Sequence, residues 1–183
     1  MCIRDSSDAV ADYQMDSSRL NEPLRANRGL SDKHNEQRDN LDHVTNYPLK
    51  HDTVMYRGSS AAFQHLPKGS EFKDKAYTGT STDPRIAKYF GYKSEGDTHK
   101  TVARIFLKKG QKGAYLPHSK PKATEENRLH SDGLDREKEF LLPRGTHYKV
   151  IGHSTHKDPE SKYKNIHYVN LEAHHPDEDK ANA

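Results

Sequence analysis

The sequence predicts an α+β domain, with a helical N-terminal lobe set on a mixed, mainly antiparallel β core. Three observations carry that reading. Capped, mostly polar helical stretches occupy the N-terminal part, the residue period changes at Thr53, and short β-prone runs separated by turn residues fill the remainder. At 183 residues the chain is long enough for one domain with a real core and too short for two well-stabilised ones.

Met1 to Ser6 resembles translated sequencing-library adapter, so residues 1–6 are expected to be extraneous or disordered and the single domain to span 7–173. Asn21 can cap a short turn with Pro23 near its first helical position, followed by Leu24 and Arg25. Ser31 is an N-cap for a solvated helix over Asp32 to Asn46, whose apolar stripe holds Leu41 and Val44. Thr53 to Arg57 is β-prone and stops at Gly58, which places Arg57 at a strand's exit. Ala76 to Ser81 reads as a second strand, and Asp83-Pro84 then opens a helix carrying Ile86, Ala87 and Phe90. Thr101 to Leu107 alternates as a third strand, and Gly110 and Gly113 punctuate the turn before Ala114-Tyr115-Leu116. Pro117 to Asp135 is polar and lacks periodicity, which marks a long functional loop. Further strands are expected at Lys138 to Leu142, Tyr148 to Gly152 and Ile166 to Leu171, the first two separated by Pro143-Arg144-Gly145. Residues 174–183 are expected to be a disordered tail.

Composition narrows the function classes. Lys and Arg number 30 against 27 Asp and Glu, a net of +3, so the balanced surface favours solubility and does not by itself indicate a nucleic-acid partner. No apolar run approaches a membrane span and no charged-then-apolar leader resembles a secretion signal, so the chain reads as soluble, with no membrane partner. Cys2 is the single cysteine, which excludes an internal disulfide framework; so near the chain's start it is a poor nucleophile.

The chemistry concentrates in three segments. In Glu137-Lys138-Glu139-Phe140-Leu141-Leu142, residues two apart on a strand project to one face, so both carboxylates are expected to look into one cleft while Phe140 and Leu142 anchor the strand. Carboxylates that close repel, and one pKa should rise unless cations or hydrogen bonds offset it. Arg57 brings a planar guanidinium that can grip phosphate oxygens with two hydrogen bonds at once. Tyr77-Thr78-Gly79-Thr80-Ser81-Thr82 offers hydroxyls at a strand end just before a helix. Each segment alone has an ordinary structural explanation: a solvated acidic edge, a surface cation, and helix capping.

Their conjunction is more specific. An Arg-Gly strand end, an aromatic-x-x-Thr-Ser strand and a Glu-x-Glu strand, in this order and at these separations, resemble the R-S-E class of mono-ADP-ribosyltransferases, which includes clostridial binary-toxin enzymes and bacteriophage-encoded transferases. The resemblance runs from about Asn21 to Leu171 and is strongest at Met55 to Gly58, Tyr77 to Ala87, Gly113 to Tyr115 and Glu137 to Gly145. It implies an ADP-ribosyltransferase-like fold, NAD consumed as substrate, and an unidentified protein acceptor. It also implies cytoplasmic action in a host or target cell.

By the same resemblance, Arg57 lies beside the phosphates of NAD and Gly58 lets the dinucleotide approach, with Thr80, Ser81 and Phe90 as further contacts. Gly79 stands where the family has its leading serine, leaving Ser81 or Thr82 to orient the glutamate. The catalytic glutamate falls on Glu139. A glutamate at Glu137 resembles the arginine-modifying subgroup, so Glu137 would orient the incoming guanidinium and assist its deprotonation. Phe90 and Tyr92 lie near the family's phosphate-nicotinamide loop; Phe90 either stacks on nicotinamide or packs in the core along the Ile86 stripe. Where the family places an acceptor-recognising aromatic, this chain has Leu134 or no residue in that part.

Two rival readings follow from the same residues. One is an NAD glycohydrolase, with water as acceptor. The other is a non-enzymatic phage structural or nucleic-acid-binding module, favoured by Lys108, Lys109, Lys112, Lys120 and Lys122 around Tyr115. The chain has 13 histidines, but His153-Ser154-Thr155-His156 and His174-His175 lack a carboxylate or cysteine at a recognised spacing, so no metal is expected.

Overall fold

The computed structural model describes residues 3–58, 65–91, 99–116, 138–158 and 165–175. From Thr53 onward the β-prone runs form β1 (Thr53–Gly58), β2 (Glu71–Lys73), β3 (Thr78–Ser81), β4 (His99–Leu107), β5 (Ala114–Tyr115), β6 (Glu139–Leu142), β7 (His147–Lys157) and β8 (Asn165–His174). They make one sheet in the order β2-β7-β8-β4-β1-β3-β6-β5. Among the described strands only β4 and β8 run parallel, which is the mixed, mainly antiparallel core expected of the sequence.

At the middle of the sheet, β1 and β3 share one partner pair, Tyr56 opposite Ser81. Ser81 in turn lies opposite Glu139 on β6. Directly opposed residues of antiparallel strands project to the same face, so Tyr56, Ser81 and Glu139 form one row across three strands.

Strand β6 is buried on both faces. Phe140 and Leu142 join Met55, Ile105, Val150 and Leu171 in the core on one side, the anchoring expected of them. Leu141 points the other way, into a cluster with Val10, Tyr13, Leu20, Leu41 and Tyr77 beneath the helices. Glu139 shares the Leu141 face, because alternate strand residues do. Strand β6 begins at Glu139, one residue later than expected, after Lys138 with a φ of 43°, a left-handed conformation. Glu137, expected to join Glu139 by strand alternation, lies outside the described residues.

Three helices cover the Leu141 face: α1 (Ile3–Met15), α2 (Ser18–Arg25) and α3 (Asp32–Val44). Ser31 caps α3 as expected, its Oγ accepting the His34 amide at 3.4 Å, and the helix ends two residues short of Asn46. Asn21 is not a cap. It lies within α2, as does Pro23, and its side chain donates to Tyr13 Oη at 2.9 Å and accepts the Tyr77 amide at 3.2 Å. Helix α1 has no counterpart in the sequence reading, and it includes residues 3–6, which were expected to be extraneous or disordered. Its stripe of Ala9, Val10 and Tyr13 is buried against the sheet.

Tyr77 ties the lobes together: its hydroxyl donates to Arg38 O at 2.8 Å or Asp42 Oδ1 at 2.6 Å, and its ring meets Tyr13 edge-on with centroids 6.0 Å apart. Between β3 and β4, α4 (Pro84–Phe90) opens at Asp83, whose Oδ1 accepts the Arg85 amide at 3.0 Å. Strands β7 and β8 outrun the apolar segments that signal them, because their polar ends continue to pair as far as Lys157 opposite Asn165. The loop expected over Pro117 to Asp135 lies outside the described residues, except for its boundary at Leu116.

Candidate active site

The seam where β1, β3 and β6 meet borders a cleft of about 340 Å³, lined among others by Tyr13, Arg57, Ser81, Phe90 and Glu139. Tertiary packing thus brings Arg57, Ser81 and Glu139 together from three strands. Arg57 leaves the end of β1 and donates from Nη1 to the Gly79 carbonyl at 2.6 Å, which fixes its guanidinium beside β3. Glu139 opens β6 and receives a hydrogen bond at Oε2 from Gln14 Nε2 of α1, at 3.0 Å.

Burial raises the Glu139 carboxyl above its ordinary pKa, while the Gln14 amide and the Arg57 charge oppose that rise. The repulsion expected of paired acids is therefore not needed to explain the direction. A carboxylate in such a site can steady a developing positive charge strongly, because little water screens it. The guanidinium supplies the matching chemistry for phosphate oxygens.

The other expected contacts divide. Phe90 is 57% exposed at the rim of the cleft, so its ring is not a core side chain along the Ile86 stripe. Ser81 is buried, and its Oγ accepts the Asp83 amide at 3.0 Å, linking the site to the start of α4. Thr80 borders the cleft, but its hydroxyl donates to Phe140 O at 2.7 Å and so serves the sheet. Gly58 also has a structural reason: a Cβ there would lie 2.4 Å from the Phe90 carbonyl carbon and 2.6 Å from Gly91 N. Tyr92, Leu134 and Glu137 lie outside the described residues.

Sequence reasoning missed the α1 contribution. Tyr13 and Gln14 carry no motif, and the only signal is the weak spacing of Val10, Tyr13 and Gln14 on one helical stripe. Tyr13 is buried, which pushes its hydroxyl up to about 12, and Asn21 holds it.

A larger hollow of about 1010 Å³ lies elsewhere, between the helices and the β6–β7 turn. Its acid, Asp42, forms an ion pair with Arg144 and accepts the Tyr77 hydroxyl. The basic residues that favoured a nucleic-acid module are partly used: Lys108 Nζ and the Lys109 amide both bind Asp52, and Tyr115 packs edge-on against Phe140. Lys120 and Lys122 lie outside the described residues. His153 and His167 face each other at 3.1 Å, but among the described residues no group of three or more potential ligands is placed to hold a metal ion. Among the same residues no helix is long and apolar enough to cross a membrane.

The fold is similar to solved ADP-ribosyltransferase toxins. Plx2a from Paenibacillus larvae matches with a TM-score of 0.65 at 14% identity, covering 92% of this chain and 85% of that one. C3stau2 from S. aureus, solved with NAD, matches with a TM-score of 0.65 at 20% identity, covering 93% and 87%. In sequence, the NAD(+)–arginine ADP-ribosyltransferase EFV of Enterococcus faecalis is 28% identical over 153 residues. That alignment takes in 78% of this chain and 28% of the relative's length. Residues 4–174 match the ADP-ribosyltransferase exoenzyme family, and with the R-S-E residues gathered in one cleft, the chain belongs to that family.

Proposed function

We propose that the chain is an NAD-dependent mono-ADP-ribosyltransferase that moves ADP-ribose from NAD to a protein side chain, arginine, and releases nicotinamide. The observation that carries this reading is the shared cleft of Arg57, Ser81 and Glu139, with a half-buried carboxylate beside a fixed guanidinium. The arginine acceptor is supported by the name of the E. faecalis relative and by the glutamate at position 137. Residues 7–173 act as the single unit that carries the site.

The residues present fit the dinucleotide. Arg57 holds pyrophosphate oxygens with the guanidinium nitrogens that do not bind Gly79, and the exposed Phe90 ring offers a stacking face for nicotinamide. Glu139 accepts a hydrogen bond from a ribose hydroxyl and opposes the positive charge that builds on the sugar as the glycosidic bond to nicotinamide breaks. Ser81, opposite Glu139 in the sheet, supports that strand position. Glu137 orients the acceptor guanidinium and takes the proton it loses when its nitrogen bonds to the anomeric carbon. The place of action is the cytoplasm of a host or target cell, where NAD and acceptor proteins occur together.

Labelled NAD incubated with a bacterial lysate tests the reading. Glu139→Gln is expected to reduce transfer by roughly a hundred- to a thousand-fold, the usual effect of losing one well-placed electrostatic group. Normal turnover in that variant would refute the site. Mass spectrometry of the labelled proteins distinguishes transfer to arginine from simple hydrolysis of NAD.

A further inference from the structure

The angle at which a catalytic carboxylate meets its substrate is decided by whatever holds its two oxygens. Beside Glu139 Oε1, β3 presents Gly79, which has no side chain: a Cβ built there would lie 3.0 Å from Glu139 Oε1 and 3.9 Å from Arg57 Nη1. Ser81, opposite Glu139 in the sheet, accepts the Asp83 amide. The side-chain hydrogen bond comes instead from the helical lobe, where Gln14 Nε2 meets Glu139 Oε2 at 3.0 Å.

Gln14 arrives there because α1 is pinned. Val10, one helical turn earlier on the same stripe, is buried in the cluster that contains Leu141, the β6 residue on the Glu139 face. Tyr13, also in that cluster, is held by Asn21 of α2 at 2.9 Å. The amide is therefore presented by a packed helix over a buried strand, both rigid supports.

We infer that Gln14 is a positioning residue for Glu139: it holds Oε2 and leaves Oε1, above Gly79, to meet the ribose hydroxyl. This rests on the assignment of Glu139 as the catalytic carboxylate. Among the described residues, the charged and titratable groups facing Glu139 are Arg57 from β1 and Tyr13 from α1; Gln14 is the neutral donor among them. A donor to the ionised form lowers the pH at which the carboxyl takes up its proton, so losing it moves that pH upward.

The test uses the full chain with labelled NAD and compares Gln14→Met, which keeps the length without the donor, with Glu139→Gln and the exposed neighbour Met15→Ala. Assays run at a temperature where circular dichroism shows each variant folded. Gln14→Met is expected to lower kcat on the order of ten- to a hundred-fold with KM for NAD nearly steady, and to move the acid limb of kcat/KM to higher pH. Met15→Ala is expected to behave as the parent. Two results would overturn the inference. One is parental kcat and acid limb in Gln14→Met while Glu139→Gln is inactive, which leaves the site assignment intact. The other is a loss in Gln14→Met that does not move the acid limb, which makes Gln14 a structural side chain. Activity in Glu139→Gln would instead sink the site assignment itself.

Discussion

Replacing Gly58 by alanine separates two reasons for a glycine at the end of β1. The backbone there has no positive φ, so alanine is conformationally acceptable and the question is one of space. The added methyl carbon would sit 2.4 Å from the Phe90 carbonyl carbon and 2.6 Å from both Phe90 O and Gly91 N. Carbon atoms pack best at about 3.5–4.0 Å, so the overlap is roughly 1 Å, and every clashing atom is backbone that cannot rotate away. The end of α4 must move off β1. Overpacking of this kind costs about 1–3 kcal/mol, or more where relaxation is blocked. For a chain of this length each kcal/mol lowers Tm by about 2–4 °C, so Gly58→Ala is expected to melt about 2–12 °C below the parent without NAD present. Activity should fall as well, since Ile86, Ala87 and Phe90 line the cleft and move with α4. Thermal melting followed by circular dichroism, with kcat and KM measured in parallel, checks this. A variant that melts like the parent and suffers only in KM for NAD would refute the packing argument and return Gly58 to the role of admitting the dinucleotide.

Two further outcomes are expected. Phe90→Ala removes an exposed ring, so stability should stay within about 0.5 kcal/mol while KM for NAD rises roughly two- to twelve-fold, the equivalent of a lost aromatic contact. An unchanged KM would remove Phe90 from the binding site. Glu139 binds its proton more tightly folded than unfolded, so it favours the folded state below the unfolded pKa and that contribution is lost as pH rises through the folded value. Glu139→Gln abolishes that titration, and its Tm should therefore gain on the parent's between acid and neutral pH. A Tm difference independent of pH would show that the carboxyl is not raised.

The strands that carry the site were legible because their signals are local. Thr53–Gly58 ends at a glycine, Thr78–Ser81 precedes an Asp-Pro helix start, and in Glu139–Leu142 the apolar run of Phe140, Leu141 and Leu142 is buried on both faces. Arg57, Ser81 and Glu139 lie on these strands, and it is the resemblance of the three segments to the R-S-E class that names them as site residues. Helix α1 was not legible. Its sequence is mostly polar, and the few residues that hold it, Val10 and Tyr13, become a core stripe only when β6 and α3 supply the other side. The polar ends of β7 and β8 were missed because pairing along a neighbouring strand, not apolar patterning, keeps them extended.

By itself, then, the sequence determined the α+β class and the strands that carry the site, though not β2 (Glu71–Lys73), because turn chemistry and short-range periodicity act between near neighbours. The dinucleotide roles of its residues came from the resemblance to the R-S-E class. Only the tertiary structure decided which of those residues meet. Glu139 and Gln14 lie 125 positions apart, and Arg57 and Gly79 22 apart. Such contacts depend on burying the helical lobe against β6, a free-energy balance summed over the whole fold that no single segment encodes.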